Sequence, residues 1–211
     1  MAAPALWYFD IVSPFAHIAL ARLDAVLAGR PVRLRPVVLG ALLKHWGQLG
    51  PAEIAPKRLH TYRLALHTAR QQGVTLRFPP GHPFNPLPMQ RLLTALEGEA
   101  EAVRTAFRLV WGEGRDAGDP AVLAAVAAAA GQPEAVEAIA YQSVKDQLRQ
   151  TTEEAIAAGV FGVPSLVVDG EVFWGADAMA LAGDYLADPS LFARGEMARL
   201  AALPASVQRR L

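Results

Sequence analysis

The 211-residue chain contains no cysteine. This excludes any mechanism built on a protein thiol, a disulfide or a Cys-ligated metal. An excess of either charge is also missing, because 20 Lys plus Arg balance 20 Asp plus Glu. The chain therefore carries no electrostatic footprint for DNA, RNA or an anionic membrane. Long apolar runs are absent as well: the Ala-rich stretch AVLAAVAAAAG stops at Gly131, short of a membrane span. The opening MAAPALWYFDIV has no basic region and meets Asp10 before a leader's apolar core could form, so the expectation is a cytoplasmic protein. Metal spacing is missing too: the histidines at 17, 45, 60, 67 and 82 include no His-Glu-x-x-His, and His60 with His67 are too few ligands alone. The sequence has no Gly-x-Ser-x-Gly elbow and no P-loop, and Gly112, Gly114 and Gly118 make no dinucleotide fingerprint.

What the chain does have is apolar material, 53% hydrophobic against 19% charged residues, enough for one substantial core. Leu6 to Val12 is a short β-rich run. SPFAHIALARLDAVLAG follows at once, with Phe15, Ile18, Ala19, Leu23, Val26 and Leu27 at helical spacing and Gly29 as a stop. Val32 and Leu34 then alternate with Arg33 and Arg35, which predicts a second strand with one polar face. From Ala41 to about Ala158 the pattern is almost wholly helical. It is punctuated by GHPFNPLP, by WGEGRDAGDP with Asp119 placed to cap and Pro120 at the first helical position, and by GQP. Thr151 and Glu154 have capping-box spacing, and Gly159 is placed to end that helix. Strands return at Ser165 to Asp169 and Glu171 to Trp174, joined by an Asp169-Gly170 turn, and a last helix begins near Ala176.

This order predicts an α/β fold, a thioredoxin-like sheet with a large all-helical insertion. Residues 1–40 and 159–211 would form the thioredoxin-like domain and 41–158 the inserted helical domain. The C-terminal LFARGEMARLAALPASVQRRL reads as an appended amphipathic segment.

Two short stretches bear on function. In SPFAH, Ser13 suits an N-cap and Pro14 the first helical position. Capping alone explains that pair, but the same geometry also gathers free N–H groups and the positive helix end, where an anion such as a thiolate is favoured. In FGVPSLVVDGEVFWG, Pro164 stands at the entry to an apolar strand. The residues alone leave open a trans proline at the first strand position or a cis Val163–Pro164 bond that would present Val163 as a docking edge.

Five segments in order carry a resemblance: YFDIVSPFAHIA, PKRLHTY, FPPGHPFN, VWGEGRD and GVFGVPSLVVDGEVFWGADAM. Together they span most of the chain, which resembles the 2-hydroxychromene-2-carboxylate isomerases and kappa-class glutathione transferases of the DsbA-like thioredoxin superfamily. The resemblance implies glutathione as cofactor, with Ser13 as the catalytic serine facing its sulfur. It implies a cis Pro164, with Val163 pairing its backbone with the cysteinyl unit. It implies Asp177 on the γ-glutamyl group, with Ala176 contributing backbone only. Lys57 or Arg58 falls where the family carries a lysine for the glutathione end.

The implied substrate is a small aromatic carboxylate. Phe84, Asn85 and Trp111, with Trp46, Met89 and Trp174, are candidates for its walls, and Arg91 is a candidate for its carboxylate. The implied activity is glutathione-dependent cis-trans isomerisation of a hydroxychromene carboxylate to a trans-benzylidenepyruvate. A kappa-like transferase and a non-catalytic glutathione- or peptide-binding module are the alternatives. A homodimer is implied by resemblance alone. The sequence departs from the family at Ala178, where an arginine is usual, and at His17, where a tyrosine is usual. It also lacks an Asp-x-x-Arg pair after Tyr62.

Overall fold

The computed structural model describes residues 3–207. Residues 1–2 and 208–211 lie outside the described residues, and with them the first residues of the opening stretch and the end of the C-terminal segment. The chain runs β1 (Ala5–Phe9), α1 (Pro14–Leu27), β2 (Val32–Pro36), α2 (Leu39–His45), α3 (Ala55–Gln71), α4 (Leu87–Ala95) and α5 (Ala100–Phe107). It continues through α6 (Pro120–Ala129), α7 (Ala135–Ala138), α8 (Gln142–Ala157), β3 (Ser165–Val168), β4 (Glu171–Trp174), α9 (Met179–Ala187) and α10 (Gly195–Leu200). No described helix is long and apolar enough to cross a membrane.

The strand order is β2-β1-β3-β4. β1 runs parallel to β2, with Trp7 opposite Leu34, and antiparallel to β3, with Trp7 opposite Leu166. β2 lies at the sheet edge, which is where a strand tolerates Pro36. β3 and β4 form a hairpin whose turn residues Asp169 and Gly170 both have positive φ, 51° and 90°, as a two-residue hairpin turn requires.

Strand alternation divides the sheet residues between two faces. Trp7, Phe9, Leu166 and Val168 join one hydrophobic cluster with α1, α4, α5, α6 and α9, in which Trp7 stacks on Phe9 at 4.9 Å. Tyr8, Val163 and Val167 join a smaller cluster with Val37, Leu42, Ala155 and Val160. Each large side chain buried in this way contributes on the order of 2 kcal/mol. The larger cluster takes residues from both the strands and the helices between them, so the helical block is packed onto the sheet.

Several expected signals are seen. Asp119 caps α6, its Oδ1 accepting the Ala121 amide at 2.9 Å with Pro120 at the first helical position. α1 ends through Ala28 at φ 48° followed by Gly29 at φ 90°. The Thr151 and Glu154 spacing marks no helix start: both lie inside α8, and Thr151 Oγ1 donates to the Gln147 carbonyl at 3.0 Å. A mid-helix threonine has the carbonyl four residues back within reach, and that local bond replaces a cap.

Candidate functional site

The turn from β1 into α1 is held by side chains from distant parts of the chain. The Gln90 side chain on α4 is fully buried; its Oε1 accepts the Ile11 amide at 3.1 Å, and its Nε2 donates to the carbonyls of Phe9 at 3.0 Å and Val37 at 2.7 Å. Trp111 Nε1 donates to the Ile11 carbonyl at 2.7 Å, from a π-helical turn over Arg108–Gly112 that extends α5. Insertions of this kind re-aim a side chain within a helix. Asp10 bridges two elements, with Oδ1 accepting the Val12 amide at 3.0 Å and Oδ2 the Leu39 amide at 2.9 Å.

Asp10 has no exposed surface, and burial pushes its carboxyl up to about 6, against the pull of the Leu39 and Val12 amides. The folded protein therefore keeps a proton that the unfolded chain releases from about pH 4 upward. Stability from this group is greatest below pH 4 and falls as the pH rises to about 6. We expect Asp10→Asn to gain about 3 kcal/mol relative to the parent between pH 4 and pH 7, read from urea midpoints across that range. A difference that is flat with pH would mean that Asp10 ionises normally in the fold.

Ser13 closes the turn. It is 7% exposed, its backbone is extended (φ −91°, ψ 115°), and it caps α1 by accepting the Ala16 amide at 3.3 Å. Its hydroxyl points toward the Val163 carbonyl at 3.5 Å, beyond the length of a strong O–H···O bond, so the proton is not firmly committed. Among the described residues the Phe15 amide in the first turn of α1 has no partner. A buried hydroxyl whose proton has only a long acceptor thus sits at a helix N-terminus beside an unspent N–H, an arrangement that favours an anion.

Across from Ser13 the Val163–Pro164 bond is cis, as is His82–Pro83. Among the described residues the Val163 amide donates to no acceptor. The Pro164 carbonyl accepts the Gly175 amide at 2.9 Å, which brings the Gly175–Asp177 segment next to the same edge. Within it Ala176 is buried and Asp177 exposed. Gly162 is needed here because an added Cβ would lie 2.5 Å from Trp174 Nε1, so the indole packs against bare backbone.

The other candidates are placed unevenly. Lys57 and Arg58 are both exposed on α3. Arg58 stands one turn before Tyr62 on the same face. Burial raises the Tyr62 hydroxyl above the usual phenol range, and the Arg58 guanidinium beside it pulls it back. Tyr62 in turn reaches His82, and His82 reaches Val12, next to Ser13. Arg58 therefore belongs to the face that leads to the turn. Phe84 is half-buried in the aromatic cluster around His82 and Trp111.

Trp111 and Met89 have no exposed surface, and the Trp111 indole N–H is spent on the Ile11 carbonyl, so Trp111 braces the turn from beneath. Asn85 is exposed and uses Oδ1 on the Leu87 amide at the start of α4. Arg91 is half-buried, and no hydrogen bond or ion pair among the described residues ties it to the turn. Trp46 and Trp174 are exposed, the first donating to the Val160 carbonyl at 3.0 Å and the second packing edge-on against Phe161. His17 hydrogen-bonds the Thr75 carbonyl at 2.9 Å and stacks toward Phe107. No group of side chains among the described residues could hold a metal ion.

Sequence reasoning missed Asp10, Gln90, Tyr62 and His82 as parts of this site. Asp10 and Gln90 carried a signal in being polar residues inside apolar runs, at the end of a strand and in LPMQRLL.

The family model for the DSBA-like thioredoxin domain matches residues 6–187. The chain belongs to the DSBA-like thioredoxin family. Its relatives include the 2-hydroxychromene-2-carboxylate isomerase of Sphingobium xenophagum, 29% identical over 86% of this chain and 97% of the relative. Glutathione S-transferase kappa 1 of Homo sapiens is 27% identical over 86% of this chain and 89% of the relative. Among solved structures, a 2-hydroxychromene-2-carboxylate isomerase superposes with a TM-score of 0.77 at 24% identity, covering 95% of this chain and 98% of the other, a likeness of fold. This DSBA-like chain has no cysteine at the turn where Ser13 stands.

Proposed function

We propose that the protein is a glutathione-dependent cis-trans isomerase of small aromatic carboxylates of the hydroxychromene type. The observation that carries this reading is the Ser13 hydroxyl, buried at the N-terminus of α1 with its proton free of any short acceptor, in a chain that has no thiol of its own. The residues present fit glutathione. The Val163 amide is unspent, the Phe15 amide is unspent, the carboxylate of Asp177 is exposed in the segment beside the edge, and the guanidinium of Arg58 is exposed on the Tyr62 face of α3.

In this reading glutathione supplies a thiolate that adds reversibly to the conjugated bond of the substrate and so allows rotation about it. Ser13 donates its proton toward the sulfur, and the helix end favours the sulfur's charged form. Val163 pairs its backbone with the cysteinyl unit as an added strand would. Asp177 takes the γ-glutamyl ammonium, and Arg58 takes a carboxylate at the other end. The half-buried Phe84, in the aromatic cluster around His82, offers an apolar wall. The relatives named as isomerases support the reaction, and those named as kappa transferases make conjugation the competing outcome.

The experiment is calorimetric titration with reduced glutathione, followed by turnover of a hydroxychromene carboxylate with glutathione recovered unchanged. Absence of binding at millimolar glutathione would refute the cofactor assignment, and consumption of glutathione would reassign the enzyme as a transferase. In the same titration we expect Arg58→Ala to weaken binding about five- to tenfold and Lys57→Ala less than about twofold, since only Arg58 shares the Tyr62 face. Equal effects would remove Arg58 from the site.

A further inference from the structure

His82 makes contacts that belong to neither the packing of the core nor the binding edge. Its Nε2 lies 2.8 Å from the Val12 carbonyl, its Nδ1 lies 2.8 Å from the Tyr62 hydroxyl, and that hydroxyl lies 2.6 Å from the carbonyl of His82 itself. A carbonyl only accepts, so Nε2 must carry the proton. Burial keeps the His82 pKa below the usual histidine value, and in a neutral ring the proton on Nε2 leaves Nδ1 as an acceptor. The single Tyr62 hydroxyl proton has two acceptors beside it, the His82 carbonyl and Nδ1, so Tyr62 ties the backbone and the ring of His82 together. The ring cannot easily swing away, because Tyr62, Phe78, Phe84 and Trp111 surround it with centroids 5.1, 5.9, 5.9 and 5.4 Å distant.

The Val12 carbonyl shares a peptide plane with the Ser13 nitrogen. A bond to that carbonyl therefore sets the direction of the Ser13 N–H, which donates to the Asp10 carbonyl at 3.0 Å, and with it the entry of Ser13 into the cap. We infer that His82, held in place by Tyr62, is a positioning residue for Ser13, fixing the Val12–Ser13 peptide so that the hydroxyl and the first amides of α1 converge on a bound thiol. The inference rests on the thiol chemistry proposed above. It adds that the helical block between the strands, through Tyr62 and His82, sets how acidic that thiol becomes.

The test measures the thiol pKa of glutathione bound to the full chain, followed by the ultraviolet absorbance of its thiolate, together with affinity and melting temperature. The parent is expected to lower the thiol pKa relative to free glutathione. His82→Phe keeps the ring volume but cannot donate, and should return the pKa about one unit toward the free value while affinity changes less than about threefold. His82→Gln, whose amide can donate to the same carbonyl, should restore most of the lowering. Tyr62→Phe retains the imidazole and should show a smaller shift in the same direction, which keeps the question answerable if His82→Phe fails to fold. A purely structural role would lower melting temperature and affinity together in all three variants without a selective change in thiol pKa. Variants with the parent's thiol pKa overturn the positioning role alone. A parent that does not lower the thiol pKa overturns the thiol reading and this inference with it.

Discussion

Replacing Ser13 with alanine is expected to reduce thiol-dependent turnover about a hundredfold or more, with glutathione affinity held within about threefold. The asymmetry follows from what the hydroxyl does. Its proton has no short acceptor in the fold, so its energy is available to a sulfur whose charge changes during the reaction, and such a bond counts where charge develops. Affinity depends instead on the Val163 backbone, which the substitution does not touch. Ser13 is also the cap of α1, so the alanine variant should lose about 1 kcal/mol of stability, a cost visible in urea unfolding. Ser13→Thr retains both the hydroxyl and the cap and should recover much of the turnover. A Ser13→Ala enzyme with unchanged turnover would remove the serine from the chemistry and favour a binding module.

Gln90→Leu should destabilise the protein by about 3–5 kcal/mol, the largest effect expected from a single uncharged substitution in this site. Leucine fits the volume but leaves the Ile11 amide without an acceptor and the Val37 carbonyl without the amide donor that Gln90 supplies, all in a fully buried setting. The Phe9 carbonyl is less affected because it also accepts the Val37 amide at 2.9 Å. Each orphaned buried group costs about 1–3 kcal/mol, and the loss should appear as a lower urea midpoint with little change in slope. A loss below about 1 kcal/mol would mean that water or local rearrangement replaces the amide. Because Gln90 grips the segment that leads to Ser13, surviving activity should fall further than unfolding alone explains.

The order of strands and helices, the Asp119 cap and the Asp169-Gly170 hairpin were legible because each is a local matter of propensity or turn chemistry. Ser13 could be placed at a helix start for the same reason. The Thr151 and Glu154 spacing misled because a capping pattern does not reveal whether a helix is already under way. α8 begins at Gln142, and the Thr151 hydroxyl satisfies itself on the preceding turn.

By itself the sequence determined that this protein has no thiol, that a serine with a following proline stands where a strand hands over to a helix, and that a Val-Pro pair opens a later strand. Only the tertiary structure decided that these two points, 150 positions apart, face each other, and that Trp111 supports the turn from below. It also disclosed the hold of Asp10, Gln90 and His82 on the backbone between Phe9 and Ser13. The physical reason is that a buried backbone group must find a partner, and which side chain satisfies it depends on packing between distant segments. Local pattern records where a turn starts, and the long-range packing records what holds it.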